Sequence, residues 1–306
     1  MLRPSAQADP IVNISGVAAA ALVDAARSLP VSGWDFPSWP KVSIRDMPQP
    51  RELAAVVGEI GTHLEGGGFC VARLAGIVAE QPEAIAAGAA TLLATAFGSP
   101  FRIYQNNSAH WRSLGADPNR PANRSEGVGL QLPHTDFCNA ELPPDVVCLL
   151  CLRPDPLGGG ASIVARIAGI EDVLAPGAVE ALSRAVFRDG QVTNLSGVGN
   201  DANPFAVISR APGERFRYRF VGHLLESAPE PEPRAAVRAL VDALWQRMVT
   251  IPLAAGDLLL VNQHLAVHGR AALGAEQDSV PEAAKRRLLL SFLRTENESR
   301  PLSRMN

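Results

Sequence analysis

The chain has 306 residues, and its 28 Lys and Arg against 31 Asp and Glu leave a formal net charge of −3. This near balance gives no electrostatic reason to expect a nucleic acid or an anionic membrane as partner, because such partners are usually met by an excess of basic residues. Hydrophobic residues make up 47% of the chain, which is enough for a large core. No run approaches the ~20 apolar residues of a membrane span, so we expect a cytoplasmic globular protein.

The first hundred residues favour helices. Apolar residues that recur at spacings of three and four predict helices over 16–28, about 53–65 and 82–97. Pro30 ends the first of these and Gly66 the second, and a buried strand is predicted over 69–74. We therefore expect residues 1–100 to form a helical support for the rest of the chain.

After residue 100 the pattern changes to short apolar runs separated by Pro, Gly, Asn and Asp. One further helix is predicted over 232–247. Strands are predicted near 101–105, 128–136, 145–152, 161–167, 185–194, 204–210, 215–221, 248–253, 257–262, 264–268 and 287–295. Many short strands edged by helices indicate a sandwich or jelly roll. Segments near 105–127 and 190–230 are expected to act as lids over it.

A His-x-Asp pair, His134 and Asp136, lies on one of these predicted strands. Side chains two positions apart on a strand point to the same face, with Cα atoms only about 6.6 Å apart. An imidazole and a carboxylate in that arrangement can bind one metal ion, with bonds near ~2.1 Å.

A third metal ligand is available downstream, where His264 and His268 follow an apolar strand. Two histidines and one carboxylate on a β-scaffold form the facial triad that is typical of non-heme Fe(II) oxygenases. Such a triad leaves three octahedral positions open. On spacing alone, either histidine can complete it.

Four segments in this order resemble one protein family. They are Leu132-Pro-His134-Thr-Asp136-Phe137, the run from Val147 to Ser162 with its Gly-Gly-Gly turn, Gly256-Asp-Leu-Leu-Leu-Val-Asn262, and Val267-His268-Gly-Arg270. Over about residues 65–295 the chain resembles the clavaminate synthase-like branch of the taurine dioxygenase superfamily, which comprises Fe(II)/2-oxoglutarate-dependent oxygenases.

The resemblance implies a fold and a ligand set. The fold is mainly β with flanking helices (α+β): a distorted double-stranded β-helix, or cupin-like jelly roll, supported by N-terminal helices. Fe(II) is bound by His134, Asp136 and His268, since the distal histidine of the family precedes Gly-Arg or Ala-Arg, and His264 becomes its neighbour. 2-Oxoglutarate and O₂ are the cosubstrates. Because motifs from 134 to 287 must converge on one metal, a single domain over 1–306 is expected.

For 2-oxoglutarate, the resemblance places an arginine at the start of the last strand. Arg287 aligns best and Arg286 next, and only one can serve, since neighbours on a strand face opposite sides. Ser162 matches a position where relatives carry a threonine that binds the same carboxylate. The linker 271–285 is longer than is usual in the family.

The resemblance also implies a substrate class, a small amino-acid-like metabolite that is hydroxylated at an unactivated C–H bond, in specialised metabolism. Desaturation and cyclisation share every residue named, and no catalytic side chain is expected beyond the metal centre. The segment 217–223 lacks the carboxylates that relatives use for basic amino acids, which argues against such a substrate. Candidate substrate contacts are Tyr104, Gln105, Asn107, His223 and Arg270.

Two interpretations of another class use the same metal ligands. One is a Zn(II) hydrolase with water at the open position. The other is a non-catalytic, cupin-like metal-binding protein. Metal analysis separates both from an iron oxygenase. The sequence does not specify the oligomeric state.

Overall fold

Two β-sheets lie face to face in the computed structural model, which describes residues 10–31, 33–34, 43–100, 111–122, 124–138, 140, 143–189, 204–210, 216–229 and 231–295. The strands are Ile11–Asn13 (β1), Phe69–Arg73 (β2), Ser99–Pro100 (β3), Arg112–Leu114 (β4), Gln131–His134 (β5), Val146–Arg153 (β6), Ser162–Arg166 (β7), Ile208–Ser209 (β8), Arg217–Tyr218 (β9), Met248–Ile251 (β10), Asp257–Asn262 (β11), Ala266–Arg270 (β12) and Arg287–Arg294 (β13). The helices are Gly16–Arg27 (α1), Arg51–Gly66 (α2), Ala75–Glu80 (α3), Glu83–Thr95 (α4), Pro176–Ser183 (α5), Leu224–Ser227 (α6) and Glu232–Gln246 (α7). Short 3₁₀ turns occur at Ile44–Asp46, Gln277–Ser279 and Glu282–Ala284.

The larger sheet has the strand order β1-β2-β11-β6-β13-β3, with β4 also paired to β13. The smaller sheet has the order β10-β7-β12-β5, and β8 and β9 form a separate ribbon. Strands that are distant in the sequence are therefore neighbours, as in a jelly roll. This confirms the predicted α+β, jelly-roll fold class.

Three layers of buried apolar side chains hold the sheets in place. The layer between the sheets includes Val147 and Leu149 of β6, Leu288 and Phe292 of β13, and Val164 of the smaller sheet. A second layer lies between the other face of the larger sheet and the N-terminal helices α1, α2 and α4. The third covers the outer face of the smaller sheet with α5, α6 and α7.

This layering explains the composition of the central strands. Since both faces of the larger sheet are covered, strands such as β6 and β13 are apolar on both sides. The candidate site lies in the layer between the sheets.

Most predicted elements agree with the structure to within a few residues, including the helices α1, α2, α4 and α7. The predicted strand over 185–194 is wrong in its described part, where only Phe187 makes an isolated bridge, to Phe205. Helix α5, which precedes it, was not predicted. The predicted strand at 101–105 lies outside the described residues. Among the helices that the structure describes, none is long and apolar enough for a membrane crossing.

Candidate metal centre

Two histidines come together through strand pairing. Strand β12 pairs antiparallel with β5 so that His268 lies directly opposite His134. Their ring centroids are 4.6 Å apart, with the rings tilted by 41°. Because directly opposite residues on an antiparallel pair share a face, both imidazoles point into the space between the sheets.

Asp136 reaches the same point by a turn and not by a strand. Strand β5 ends at His134, so the expectation that both residues of the His-x-Asp pair lie on one strand is wrong. The backbone N–H of Asp136 donates to the side-chain oxygen of Gln263 at 2.5 Å. Phe137 then has a positive φ of 55°, an uncommon conformation for a residue other than glycine. Together these features aim the carboxylate back at the histidines.

The three side chains form a pocket for a cation. Their ligand atoms all lie within 4.8 Å of one another, and in the part of the chain that the structure describes no other such group occurs. His268 Nε2 is 3.3 Å from Asp136 Oδ2, and His134 Nε2 is 3.7 Å from Oδ1. Asp136 Oδ2 is buried without a hydrogen-bond partner. Because an unsatisfied buried carboxylate oxygen is costly, a bound metal ion would stabilise it.

The electrostatics of Asp136 and His268 favour their metal-binding forms, whereas those of His134 do not. Burial alone would raise the pKa of Asp136, but the charge of His268 and the close approach of both imidazoles hold that pKa well below its ordinary value. Burial lowers the pKa of His268, which favours the neutral, ligating form. Burial acts in the same direction on His134, but its contacts with Asp136 and the carbonyl of Leu132 outweigh burial and raise its pKa.

His134 Nδ1 lies 2.9 Å from the carbonyl oxygen of Leu132. When Nδ1 carries the proton and donates it there, the lone pair of Nε2 is free for a metal, an arrangement common in metal-binding histidines. His264 is engaged elsewhere: its Nε2 lies 2.7 Å from Asp145 Oδ1. The structure therefore brings His268, and not His264, to His134 and Asp136.

Gln263 connects the triad to the neighbouring loop. Its side-chain oxygen accepts from the backbone of Asp136, and its side-chain nitrogen donates to the carbonyl of Pro144 at 2.8 Å. The side chain is buried, with 4% of the residue exposed. Sequence reasoning missed Gln263, although it lies directly after β11 and close to His268. Its role is to hold the backbone of the carboxylate ligand in position.

We expect Gln263→Ala to weaken Fe(II) binding by about 10- to 100-fold, the usual effect of removing a residue that orients a metal ligand. Anaerobic Fe(II) titration measures it, with Gln246→Ala on the exposed end of α7 as the matched control. A variant with unchanged metal affinity, or one that loses affinity only because it unfolds in a thermal melt, would contradict this role.

A group of buried cationic residues lies to one side of the triad. Arg270 follows His268 by two positions on β12, so it shares its face, and it pairs across to Ser162 on β7. Arg270 donates to the carbonyls of Ser125 and Gly129 at 3.1 and 2.6 Å. Its Nε is buried without a hydrogen-bond partner, and burial lowers its pKa to about 10.

The two candidate arginines at the start of β13 point in different directions. Arg286 is 5% exposed, and its Nη1 is buried without a hydrogen-bond partner. Burial, followed by the charge of Arg270, lowers the pKa of Arg286 to about 10. Arg287 is half-buried, and its Nε donates to the hydroxyl of Ser113 at 3.4 Å. Arg286 thus lies in the interior near Arg270, whereas Arg287, which the sequence ranked first as the 2-oxoglutarate anchor, contacts Ser113.

Asp155 fastens the loops that hold Arg286. Its carboxylate accepts hydrogen bonds from the backbone of Leu157, Gly159 and Gly274 and from the side chain of Gln277. Burial acts to raise the pKa of Asp155, but these donors lower it overall. The turn after β6 and the linker before β13 are therefore tied together beside the arginine.

His223 Nε2 lies 3.1 Å from the Asp189 carboxylate. The Cys138 thiol donates to the same carboxylate at 3.6 Å. His223 was predicted as a substrate contact, whereas Asp189 was missed because nothing in its local sequence marks it. The remaining predicted contacts, Tyr104, Gln105 and Asn107, lie outside the described residues.

Fold and site together define a jelly-roll protein with a two-histidine, one-carboxylate metal centre. The chain belongs to the taurine catabolism dioxygenase TauD, TfdA family, whose model matches residues 36–291. This confirms the family resemblance drawn from the sequence motifs.

Several characterised proteins are similar to the chain. An L-asparagine oxygenase from Streptomyces coelicolor is 29% identical over 169 residues, which cover 55% of this chain and half of that protein. The structure of an asparagine oxygenase in complex with Fe(II), hydroxyasparagine and succinate matches with a TM-score of 0.74 at 22% identity, covering 93% of each chain. The non-heme iron oxygenase OrfP with Fe and α-ketoglutaric acid matches with a TM-score of 0.70 at 17% identity, covering 94% of this chain and 95% of that one.

Proposed function

We propose that the protein is an Fe(II)/2-oxoglutarate-dependent oxygenase that hydroxylates an amino acid or a close derivative. The observation that carries this proposal is the convergence of His134, Asp136 and His268 within 4.8 Å, inside a fold of the TauD family. The amino-acid substrate class is supported by the similarity to asparagine oxygenase. We also propose that one domain carries the whole site, because its ligands come from strands of one sheet and the turn that follows them.

The three triad residues would bind Fe(II) on one face and leave the opposite face open. In this class of chemistry, 2-oxoglutarate is decarboxylated to succinate and carbon dioxide, while one oxygen atom of O₂ enters a substrate C–H bond. The role of the protein is to hold the reactants in place and to exclude water. Desaturation or cyclisation would use the same residues.

Arg286 would bind the distal carboxylate of 2-oxoglutarate. A guanidinium fits a carboxylate through two parallel hydrogen bonds. Arg286 Nη1 and Arg270 Nε both lack hydrogen-bond partners in the structure. Since the two cations repel each other, an anion between them would be strongly stabilised. Ser162, opposite Arg270 on β7, would add a hydroxyl donor.

Anaerobic reconstitution tests the proposal. Protein loaded with Fe(II) should develop a visible charge-transfer band when 2-oxoglutarate is added, and Zn(II)-loaded protein should not. In air, one or more amino acids should then stimulate succinate release, and mass spectrometry should show a product that has gained one oxygen atom.

Each alternative gives a different result. Absence of the band in Fe(II)-loaded protein, together with hydrolysis of a substrate by Zn(II)-loaded protein, would favour a hydrolase. Metal binding with neither a band nor turnover would favour a metal-binding protein without catalysis. A product that has lost two hydrogens would indicate desaturation or cyclisation.

A further inference from the structure

Asp189 is a carboxylate beside the metal centre that the proposed chemistry does not use. It is mostly buried, with 11% of its side chain exposed. It lies two residues after Phe187, which is fully buried and bridged to Phe205. Asp189 is thus held close to an anchored point of the chain.

Contacts from two further segments place this carboxylate close to the triad. Cys138, two residues after Asp136, donates its thiol to Asp189. Burial, and then the charge of Asp189 with a smaller effect of Asp136, raises the pKa of that thiol well above its ordinary value. The charge of Asp189 also contributes to the raised pKa of His134. Asp189 is therefore within electrostatic range of the metal site.

His223 reaches Asp189 from a third segment. The chain just before His223 is bonded to the triad loop, since the backbone N–H of Thr135 donates to the carbonyl of Phe220 at 2.7 Å and the backbone N–H of Phe220 donates to the Thr135 hydroxyl at 3.0 Å. His223 Nε2 is buried and makes no well-aligned hydrogen bond, although it is 3.1 Å from Asp189.

Asp189 and the buried arginines are held by different segments. Arg270 lies opposite Gln131 and donates to the carbonyls of Ser125 and Gly129. Asp189 contacts Cys138, two residues after Asp136, and His223. The charge of Arg219 also acts on Cys138, in the opposite direction to that of Asp189. Asp189 therefore approaches the triad through contacts that are separate from those of Arg270.

Charge then indicates which kind of ligand Asp189 would bind. Fe(II), one carboxylate ligand and the dianion 2-oxoglutarate together carry one formal negative charge, and Arg270 and Arg286 would offset it only at the distal carboxylate of the cosubstrate. A second carboxylate in the same partly buried site disfavours another anion and favours a cationic hydrogen-bond donor. A charge-assisted bond of this kind is among the stronger ones in proteins.

We infer that Asp189, positioned by Cys138 and His223, binds a cationic nitrogen of the substrate, an ammonium or a guanidinium, beside the metal centre. This inference rests on the proposed function. It also changes the expectation that a basic substrate is disfavoured, because the carboxylate missing from 217–223 is supplied from another segment.

Calorimetric titration of the anaerobic protein loaded with Fe(II) and 2-oxoglutarate tests the inference. The twenty common L-amino acids are screened first, and the tightest ligand is compared with its N-acetylated form. We expect Asp189→Asn to weaken binding of the free amino acid at least tenfold. Asp189→Glu keeps the charge and should weaken this binding less. Glu232→Gln removes an exposed carboxylate on α7 and should change nothing.

Modified ligands should show which nitrogen of the amino acid Asp189 binds. When the neutralised nitrogen is the one that Asp189 binds, wild type and Asp189→Asn should bind the modified ligand equally weakly. For an arginine ligand, citrulline tests the side-chain nitrogen in the same way. The 2-oxoglutarate charge-transfer band should be unchanged in all variants.

Unaltered amino-acid binding by Asp189→Asn would overturn the inference, as would failure of every free amino acid to bind wild-type protein that shows the band. Absence of the band in wild type would overturn the proposed function, and this inference with it. The two failures are thus distinguishable.

Discussion

His268→Ala is expected to weaken Fe(II) binding more than about 100-fold and to reduce amino-acid-stimulated succinate formation to background. Loss of a residue that merely orients a metal ligand already costs about 10- to 100-fold, and His268 is one of the three proposed ligands. Its removal also leaves Asp136 without the imidazole that lies 3.3 Å away. Anaerobic Fe(II) titration and a succinate assay measure the two effects.

Two control variants sharpen this result. His63→Ala removes an imidazole from α2 and should leave both readouts unchanged. Asp136→Glu keeps a carboxylate and should retain more metal than Asp136→Ala. Normal turnover in His268→Ala would exclude the proposed metal centre.

Arg286→Ala is expected to raise the 2-oxoglutarate concentration needed for half-saturation by about 30-fold or more. Removing one partner of a buried charge pair costs about 2–5 kcal/mol, and each 1.4 kcal/mol is about tenfold in affinity. Arg287→Ala should change it by no more than a few fold, because Arg287 contacts Ser113. Titration of the charge-transfer band gives both values.

The thermal stability of the protein without 2-oxoglutarate provides a second measurement. Arg286 is buried beside another cation, so its loss removes repulsion from the folded state. We therefore expect Arg286→Ala to melt no lower than wild type while it binds 2-oxoglutarate poorly. Arg286→Lys should be intermediate in 2-oxoglutarate binding, since it keeps charge without the planar fork. A larger effect in Arg287→Ala would return the anchor to Arg287.

The sequence was most informative where the signal is local. Apolar runs bounded by turn residues predicted β6, β11 and β13, because short buried strands carry that pattern. The His-x-Asp pair identified the first part of the site, but the turn at Phe137 could not be predicted from it. That turn depends on Gln263, which is far away in the sequence.

Other features depend on register, which the local pattern did not specify. Strand β13 is apolar on both faces, so its sequence does not show whether Arg286 or Arg287 faces the interior. Asp189 approaches the triad through contacts with Cys138 and His223 and lies two residues after Phe187, which is bridged to Phe205 in a separate apolar layer. The single-domain organisation stays a prediction.

The hydrogen bonds of Asp155 have a consequence for how such chains can vary. They tie the turn that contains Gly159 to the linker that contains Gly274 and Gln277, and Arg286 follows this linker. We therefore expect extra residues in the linker 271–285 to be accommodated without displacing the arginine, since doubling the length of a flexible loop costs only about 0.6 kcal/mol. The number of residues between His268 and the arginine is then a poor guide to which arginine faces the interior.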